Sequence, residues 1–453
     1  MFAAFRLAVQ EARGHKDLYF AGLLSQHDID SAMGDATALA RRWIYKPIVT
    51  LSVFLTQCLS PDHSCREAVS KLLAWRTKQG LTSCSTDTGS YCTARDELPE
   101  KACHALARTV GRDMDSQVPK SWLWKGRRTY VVDGSTVTMP DTAANQAIYP
   151  QQKQQKPGIG FPIARIIVVF SLAVGTAVEM TIGKYKGKLT GENSMFRELH
   201  KFFQAKDVII ADRAYAGWFD IALCVQREID IVTRKHHNRK ADFRAGKRLG
   251  KEDHVVTIQK PDRPKWMDKK TYASLPETLQ LRQVRIRILQ KGFRTKEIIV
   301  ETTLLDDLEF TKRDLGQAFR RRWDAELNLR SLKIVLQMDH IRCKTPHRVH
   351  NEFYMHMLAY NIIRKTIAIA ATQKSVLPYQ ISFKGALQTR MNFLASLHFD
   401  TDLDQWCIRL LSAIASEEIG NRPDRVEPRV KKRRPKPYDA MTKPRSEYKK
   451  AYR

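Results

Sequence analysis

The chain has 453 residues, with 77 Lys or Arg against 48 Asp or Glu and a formal charge of +29. An excess of that size opposes compaction unless a polyanion neutralises it, so it argues against an acidic scaffold and points to a phosphate backbone as partner. The eight cysteines are scattered without a C-x-x-C pair, which argues against a structural zinc cluster and suits reduced thiols in a cytosol.

At 43% hydrophobic residues the chain can build real cores, and its length allows about three domains. Met1 to Arg13 lacks the apolar core of a signal peptide. The longest apolar run, Ile166 to Val178, is too short to span a bilayer and is broken by Ser171, Gly175 and Thr176. The expectation is a cytoplasmic, nucleoid-associated protein with no membrane partner. His236-His237 lacks a spaced partner and is expected to face solvent or nucleic acid rather than a metal.

Residues 1–120 read as helical. An apolar segment from Ile48 to Leu59 stops at Ser60-Pro61-Asp62. Ser64-Cys65-Arg66-Glu67 then reads as a capping box opening a second helix, with Val69, Leu72 and Leu73 inward. Two helices about a short turn allow a helix-turn-helix reader, though any small helical bundle carries the same pattern.

The period then changes. Thr129 to Val137 is β-branched and reads as a strand, followed by Ile163 to Phe170 and Leu172 to Ile182 as a hairpin turning near Val174-Gly175-Thr176. A helix spans Ser194 to Phe203, and Val208-Ile209-Ile210-Ala211 is a short apolar strand ending on Asp212. A helix from Trp218 to Glu228 and a strand from Asp230 to Thr233 follow. This order predicts a mixed sheet with helices on both faces. Residues 235–306 break the rhythm with strand-like runs at His254 to Gln259, Leu279 to Ile288 and Lys296 to Thr303, and read as a strand-rich insertion. A long helix is expected from Thr311 and another from His347 to Ala371, with Met355, Leu358, Ile362 and Ile369 on one side. From Arg429 to Arg453 there are eleven Lys/Arg against two acids, a Pro-broken tail expected to stay disordered until bound.

Three acids occupy related positions: Asp133 on the first strand, Asp212 at the end of a later one, and Glu326 on a helix after the insertion. Such carboxylates can converge in a crevice of a mixed sheet. They would repel one another unless screened by Mg²⁺ or Mn²⁺, which prefer oxygen ligands and, as a pair, serve phosphoryl transfer. Singly, Asp133 before Gly134 also suits a turn and Asp212 a helix N-cap. On one continuous helix Arg322 would lie about 40° and Lys333 about 20° from Glu326, with Phe319 and Arg330 on the same stripe. A carboxylate in a ladder of cations suits a site holding metal and phosphate together, and equally an ordinary solvated face.

Taken jointly, Val132-Asp133-Gly134-Ser135, Ala211-Asp212-Arg213-Ala214-Tyr215-x-Gly217 and Phe319-x2-Arg322-x3-Glu326-x6-Lys333 resemble the DDE transposases of the bacterial insertion sequence 4 family, as do Gly160-Phe161-Pro162 and Val232-x-Arg234. The resemblance covers about residues 125 to 370, and Phe319 stands where the family's Tyr-x2-Arg-x3-Glu-x6-Lys signature has tyrosine. It implies an α/β fold: an RNase H-like mixed-sheet catalytic core with a β-rich insertion, flanked by helical N- and C-terminal regions. The expected divisions are a DNA-binding region at 1–120, core at 121–234, insertion at 235–306, helical second part of the core at 307–373, a helical region at 374–428 and the basic tail at 429–453.

The resemblance further implies cut-and-paste transposition by a dimer on terminal inverted repeats and target DNA. Asp133, Asp212 and Glu326 would bind two Mg²⁺ or Mn²⁺ ions, with Arg322 and Lys333 holding phosphates. Arg213 and Arg330 would join the DNA contacts, and loss of the phenol at Phe319 would weaken end positioning. Trp266 is expected either to stack on a flipped base or simply to pack. The alternatives are a non-catalytic DNA-binding regulator derived from a transposase, or a metal-dependent nuclease of the same fold.

Overall fold

The computed structural model describes residues 3, 6, 24, 26–34, 43–236, 238–288, 297–396, 401–420 and 441–451. His237, Lys296, most of Met1 to Arg13 and residues 429–440 of the tail lie outside them. In chain order come α1 (Gln26–Met33), α2 (Pro47–Leu59), α3 (Cys65–Lys78), α4 (Gly89–Asp96), α5 (Glu100–Ser116), β1 (Thr129–Thr138), β2 (Ile163–Ser171), β3 (Ala177–Lys184), α6 (Glu192–Leu199), β4 (Val208–Ala211), α7 (Trp218–Val225) and β5 (Asp230–Arg234). Then follow β6 (Lys247–Gly250), β7 (Asp253–Gln259), β8 (Thr278–Arg287), β9 (Glu297–Thr302), α8 (Lys312–Arg320), α9 (Trp323–Arg330), α10 (Pro346–Lys374), α11 (Phe383–Ala395) and α12 (Leu403–Ala415).

The chain divides into two compact units, one of residues 1–128, 168–180 and 324–419, the other of 129–167, 181–323 and 420–453. Within the first, α10 is the spine, packed by α5, α2, α11 and α12. A one-sided apolar stripe was the sequence expectation for this helix. Instead, nearly every residue from Val349 to Ala371 is buried, because neighbours surround the helix on all sides. Its polar positions are therefore satisfied internally: buried Asn361 donates to the Ala107 and Ala177 carbonyls at 2.7 and 2.8 Å and accepts from the Ala177 amide at 2.7 Å. Gly111 of α5 makes this close approach possible, since a Cβ there would meet the Ala177 oxygen at 2.1 Å. At the start of α3, Ser64 accepts from the Glu67 amide at 3.1 Å. Glu67 itself pairs with Lys71 at 2.7 Å and with Ser60, so only half of the expected capping box forms.

The sheet has nine strands in the order β3-β2-β1-β4-β5-β9-β8-β7-β6. β1, β4 and β5 run parallel, whereas β9 pairs antiparallel with β5 and is followed by β8, β7 and β6. The strand-rich stretch therefore extends the same sheet. β5 would otherwise be an open edge with unpaired amides and carbonyls, and β9 covers it.

A buried polar row crosses this junction. His254, Gln283, Glu301 and Thr233 come level across β7, β8, β9 and β5. His254 meets Gln283 at 3.2 Å, Gln283 donates to Glu301 at 2.9 Å, and Arg239 closes an ion pair on Glu301. Nearby Arg282, 1% exposed, grips Asp253 with two bonds of 2.8 and 2.6 Å and donates to the Asp306 and Phe310 carbonyls at 3.2 and 2.7 Å. It thereby ties β7 and β8 to the segment entering α8. Among the described residues no helix is long and apolar enough to cross a membrane.

Candidate active site

In the second unit the β1–β4 register pairs Val131 with Ile210. Two residues further on, Asp133 and Asp212 come level. Asp212 lies just past β4, but its φ of −77° and ψ of 169° keep the backbone extended, so alternation still applies. Both carboxylates thus leave the same face as Val131 and Ile210, from strands about 4.8 Å apart. The β4–β5 register pairs Ile210 with Val232, which brings Arg234 level with Asp212. The row at this end of the parallel strands is Asp133, Asp212, Arg234.

Local hydrogen bonds aim the two acids. One Asp133 oxygen accepts from the Gly134 amide at 2.9 Å and one Asp212 oxygen from the Arg213 amide at 2.7 Å. Asp212 is the N-cap of a 3-10 turn at Arg213–Tyr215, so it combines the local role expected of it with a place in the row. Behind the row, Glu192 on α6 pairs with Arg165 at 2.7 Å and fills the space over Gly134, where a Cβ would meet its Cδ at 2.9 Å. Asn193 donates to the Ala214 carbonyl at 2.9 Å. The first turn of α6 thus braces both carboxylate-bearing segments. Tyr215, 1% exposed, has its hydroxyl pushed well up by burial and then by the charges of Glu192, Asp133 and Asp212.

Arg213, Asp212 and Arg322 all act on Arg234. Arg234 is held below its ordinary range by burial and by Arg213 and Arg322, with Asp212 opposing. The Arg322 guanidinium lies 6.0 Å from the Phe319 ring centre and 5.3 Å from that of Trp323.

The stripe on one helix face requires a correction. α8 ends at Arg320, Arg321 and Arg322 form a turn, and α9 starts at Trp323. The Arg322 amide bonds back three residues to Phe319 at 3.1 Å, tightening the helix end. Ser331–Val335 then winds as a π-helix, with the Leu336 amide reaching the Ser331 carbonyl at 3.0 Å. A constant 100° per residue therefore fails between Phe319 and Lys333. Phe319 is 7% exposed and serves largely as a packing group.

Glu326, Arg330 and Lys333 belong to the first unit. Glu326 is half-buried and Arg330 exposed. Lys333 is half-buried, with its pKa lowered by burial and Asp339 opposing. Their segment is anchored on α10 by Asn328, which accepts from Arg364, while Arg364 also donates to the Tyr360 hydroxyl at 2.9 Å. Trp266 is partly exposed, but the Arg197 guanidinium lies 3.5 Å from its ring centre, and the Phe219 ring stands nearly perpendicular to it with ring centres 6.2 Å apart. One ring face is therefore covered. Among the described residues no group of three His, Cys, Asp or Glu is gathered as a metal site. The paired oxygens of Asp133 and Asp212 nevertheless fit a hard divalent cation, which takes carboxylate ligands and screens their repulsion.

The family model described as Transposase DDE domain matches residues 124–362, from just before β1 into α10. The chain belongs to the DDE transposase family. It is 24% identical over 330 residues, 71% of each chain, to the transposase InsG of insertion sequence element IS4 from Escherichia coli strain K12. This places it with the DDE transposases of the insertion sequence 4 type. It also aligns with the cryo-EM structure of a piggyBac transposase synaptic complex with hairpin DNA, at 11% identity and a TM-score of 0.40 over 93% of this chain and 85% of that one. As a family this transposase acts in DNA transposition, with DNA as partner and divalent metal ions as general cofactors. The sequence marks Arg234 only through Val232-x-Arg234; its alignment with Asp212 comes from the β4–β5 register.

Proposed function

We propose that this transposase binds the terminal inverted repeats of its element as a dimer, nicks the DNA with water and joins the freed 3′-OH to target DNA. The observation that carries the reading is the level pair Asp133 and Asp212 at the ends of adjacent parallel strands, with Arg234 level with Asp212. Glu326 joins them as the third carboxylate through the Arg322, Glu326 and Lys333 spacing. Two Mg²⁺ or Mn²⁺ ions held by these acids would supply activation of the attacking oxygen and neutralisation of the leaving one. Arg322 and Lys333 hold phosphates beside the cut, with Arg213 and Arg330 as further backbone contacts. Lys333's partial burial favours this role, since a desolvated ammonium gains more from a phosphate than an exposed one does.

The β3-β2-β1-β4-β5 order with β1, β4 and β5 parallel supports an RNase H-like core, with residues 235–306 as an insertion that lengthens its sheet. The helices within 1–120 would bind DNA, and a cytoplasmic, nucleoid-associated location follows from that activity. For Trp266, the Arg197 cap favours packing over base stacking.

The test is a labelled duplex carrying the repeats that flank the gene, incubated with the protein and Mg²⁺ or Mn²⁺. Cleavage followed by joining is expected. Binding without cleavage would favour a regulator, and cleavage without joining a nuclease. Glu326→Gln should abolish cleavage and keep binding; retained cleavage refutes the assignment.

A further inference from the structure

All eight cysteines lie among the described residues, and six of them are buried. The two half-buried ones, Cys65 and Cys92, meet each other: the Cys92 thiol donates to the Cys65 sulfur at 3.8 Å, across 27 positions of the chain. Cys65 is the first residue of α3 and Cys92 lies in α4, both in the first unit. Gln57 of α2 holds the same junction. Its amide nitrogen donates to the Cys65 sulfur at 3.7 Å and to the His63 carbonyl at 2.8 Å, and its oxygen accepts from the Tyr91 hydroxyl at 2.7 Å and from Arg95 at 2.9 Å. The two sulfurs thus face each other where the turn between α2 and α3 meets α4. A disulfide holds its sulfurs about 2.05 Å apart, so closure needs a shift of about 2 Å, within the reach of rotation about the two Cα–Cβ bonds.

We propose that Cys65 and Cys92 form a thiol modification site: a small-molecule disulfide such as oxidised glutathione converts them to an intramolecular disulfide that clamps the α2–α3 turn to α4. One cysteine thiolate attacks the small disulfide, releasing one small thiol and leaving a mixed disulfide on the protein. The second cysteine thiolate attacks the protein's sulfur in that bond and releases the other small thiol. Two electrons and two protons pass from the protein to the small disulfide. Burial holds the Cys65 thiol above its ordinary range, with Arg95 opposing and Cys92 adding, so thiolate is scarce there and closure is slow. The pair belongs to the first unit, whereas Asp133 and Asp212 belong to the second, so it depends on no role assigned to those acids.

The test equilibrates the full chain with oxidised and reduced glutathione, then alkylates, digests and reads it by mass spectrometry. The expected product joins the Cys65 and Cys92 peptides, lacks two hydrogens and reverts with dithiothreitol, while the other six cysteines are alkylated. The oxidised chain should unfold at a higher urea concentration than the reduced one, because the bond closes a loop in the unfolded state. Cys65→Ser and Cys92→Ser should each abolish that shift, with Cys65→Ala and Cys92→Ala in their place if the serine variants do not fold. Cys84, which like Cys92 acts on Tyr45, is the control thiol, and Cys84→Ser should keep the shift. Glutathione left on either cysteine without linkage, a linkage through Cys84 or any other cysteine, or equal urea midpoints for the two forms overturns the proposal.

Discussion

Arg282 offers the sharpest test of how the added strands support the site. Replacing it with methionine keeps an unbranched apolar stem but removes a guanidinium that makes two bonds to Asp253 and two to the Asp306 and Phe310 carbonyls. Asp253 is 6% exposed, so its carboxylate would remain buried without a partner. Breaking such a pair from one side costs about 3–5 kcal/mol, whereas replacing both members by apolar groups is close to neutral. Arg282→Met should therefore lower the urea midpoint of unfolding, at unchanged slope, by an amount equivalent to about 3–5 kcal/mol. Arg282→Met with Asp253→Leu should recover most of the loss. The segment released by the single change leads into α8, which carries Phe319, so terminal-repeat cleavage should fall as well. A single-variant loss below about 1 kcal/mol, or a double variant no better than the single, refutes the reasoning.

Further expectations concern packing, pH and charge. Gly111→Ala would drive a Cβ into the Ala177 carbonyl of the first unit and should destabilise by about 3 kcal/mol, read by thermal unfolding; a neutral result would show that the α5 contact yields freely. His63 and His356 have ring centres 5.7 Å apart and are pushed down to about 4 and about 3, mainly by burial, with Arg342 adding at both and His63 adding at His356. Their ordinary pKa lies near 6.5, so the unfolded chain binds these protons first. Stability is complete above that pH and falls as acid is added, by about 2 kcal/mol per histidine between pH 6.5 and pH 5. Urea midpoints at both pH values measure this, and pH-independent midpoints would contradict it. Deleting residues 429–453 removes eleven Lys/Arg and two acids. It should weaken DNA binding and flatten its salt dependence, and an unchanged slope would remove the tail from the interface.

Several features of this chain are written locally. The β-branched run around Asp133 forms β1, and the apolar run ending on Asp212 forms β4. Both follow from the steric preferences of a few consecutive residues. The spacing of Arg322, Glu326 and Lys333 and the DDE character were legible for the same reason, since motif spacing is read along one strand of sequence. The charge of +29 likewise needs no fold to imply a polyanion.

The tertiary structure decided what depends on distant pairing. Register brings Asp133, Asp212 and Arg234 into one row, and a shift of one residue would turn any of them to the opposite face. Pairing of β9 with the edge of β5 joins the strand-rich stretch to the main sheet, which no local period encodes. The break at Arg321–Arg322 and the π-turn after Arg330 depart from the one continuous helix expected from Thr311, because hydrogen bonds at helix ends respond to packing as well as to propensity. Sequence alone thus determined the candidate groups and the family whose motif they spell. Only the fold decided which of them stand side by side, because side-chain direction is a local property and strand register is not.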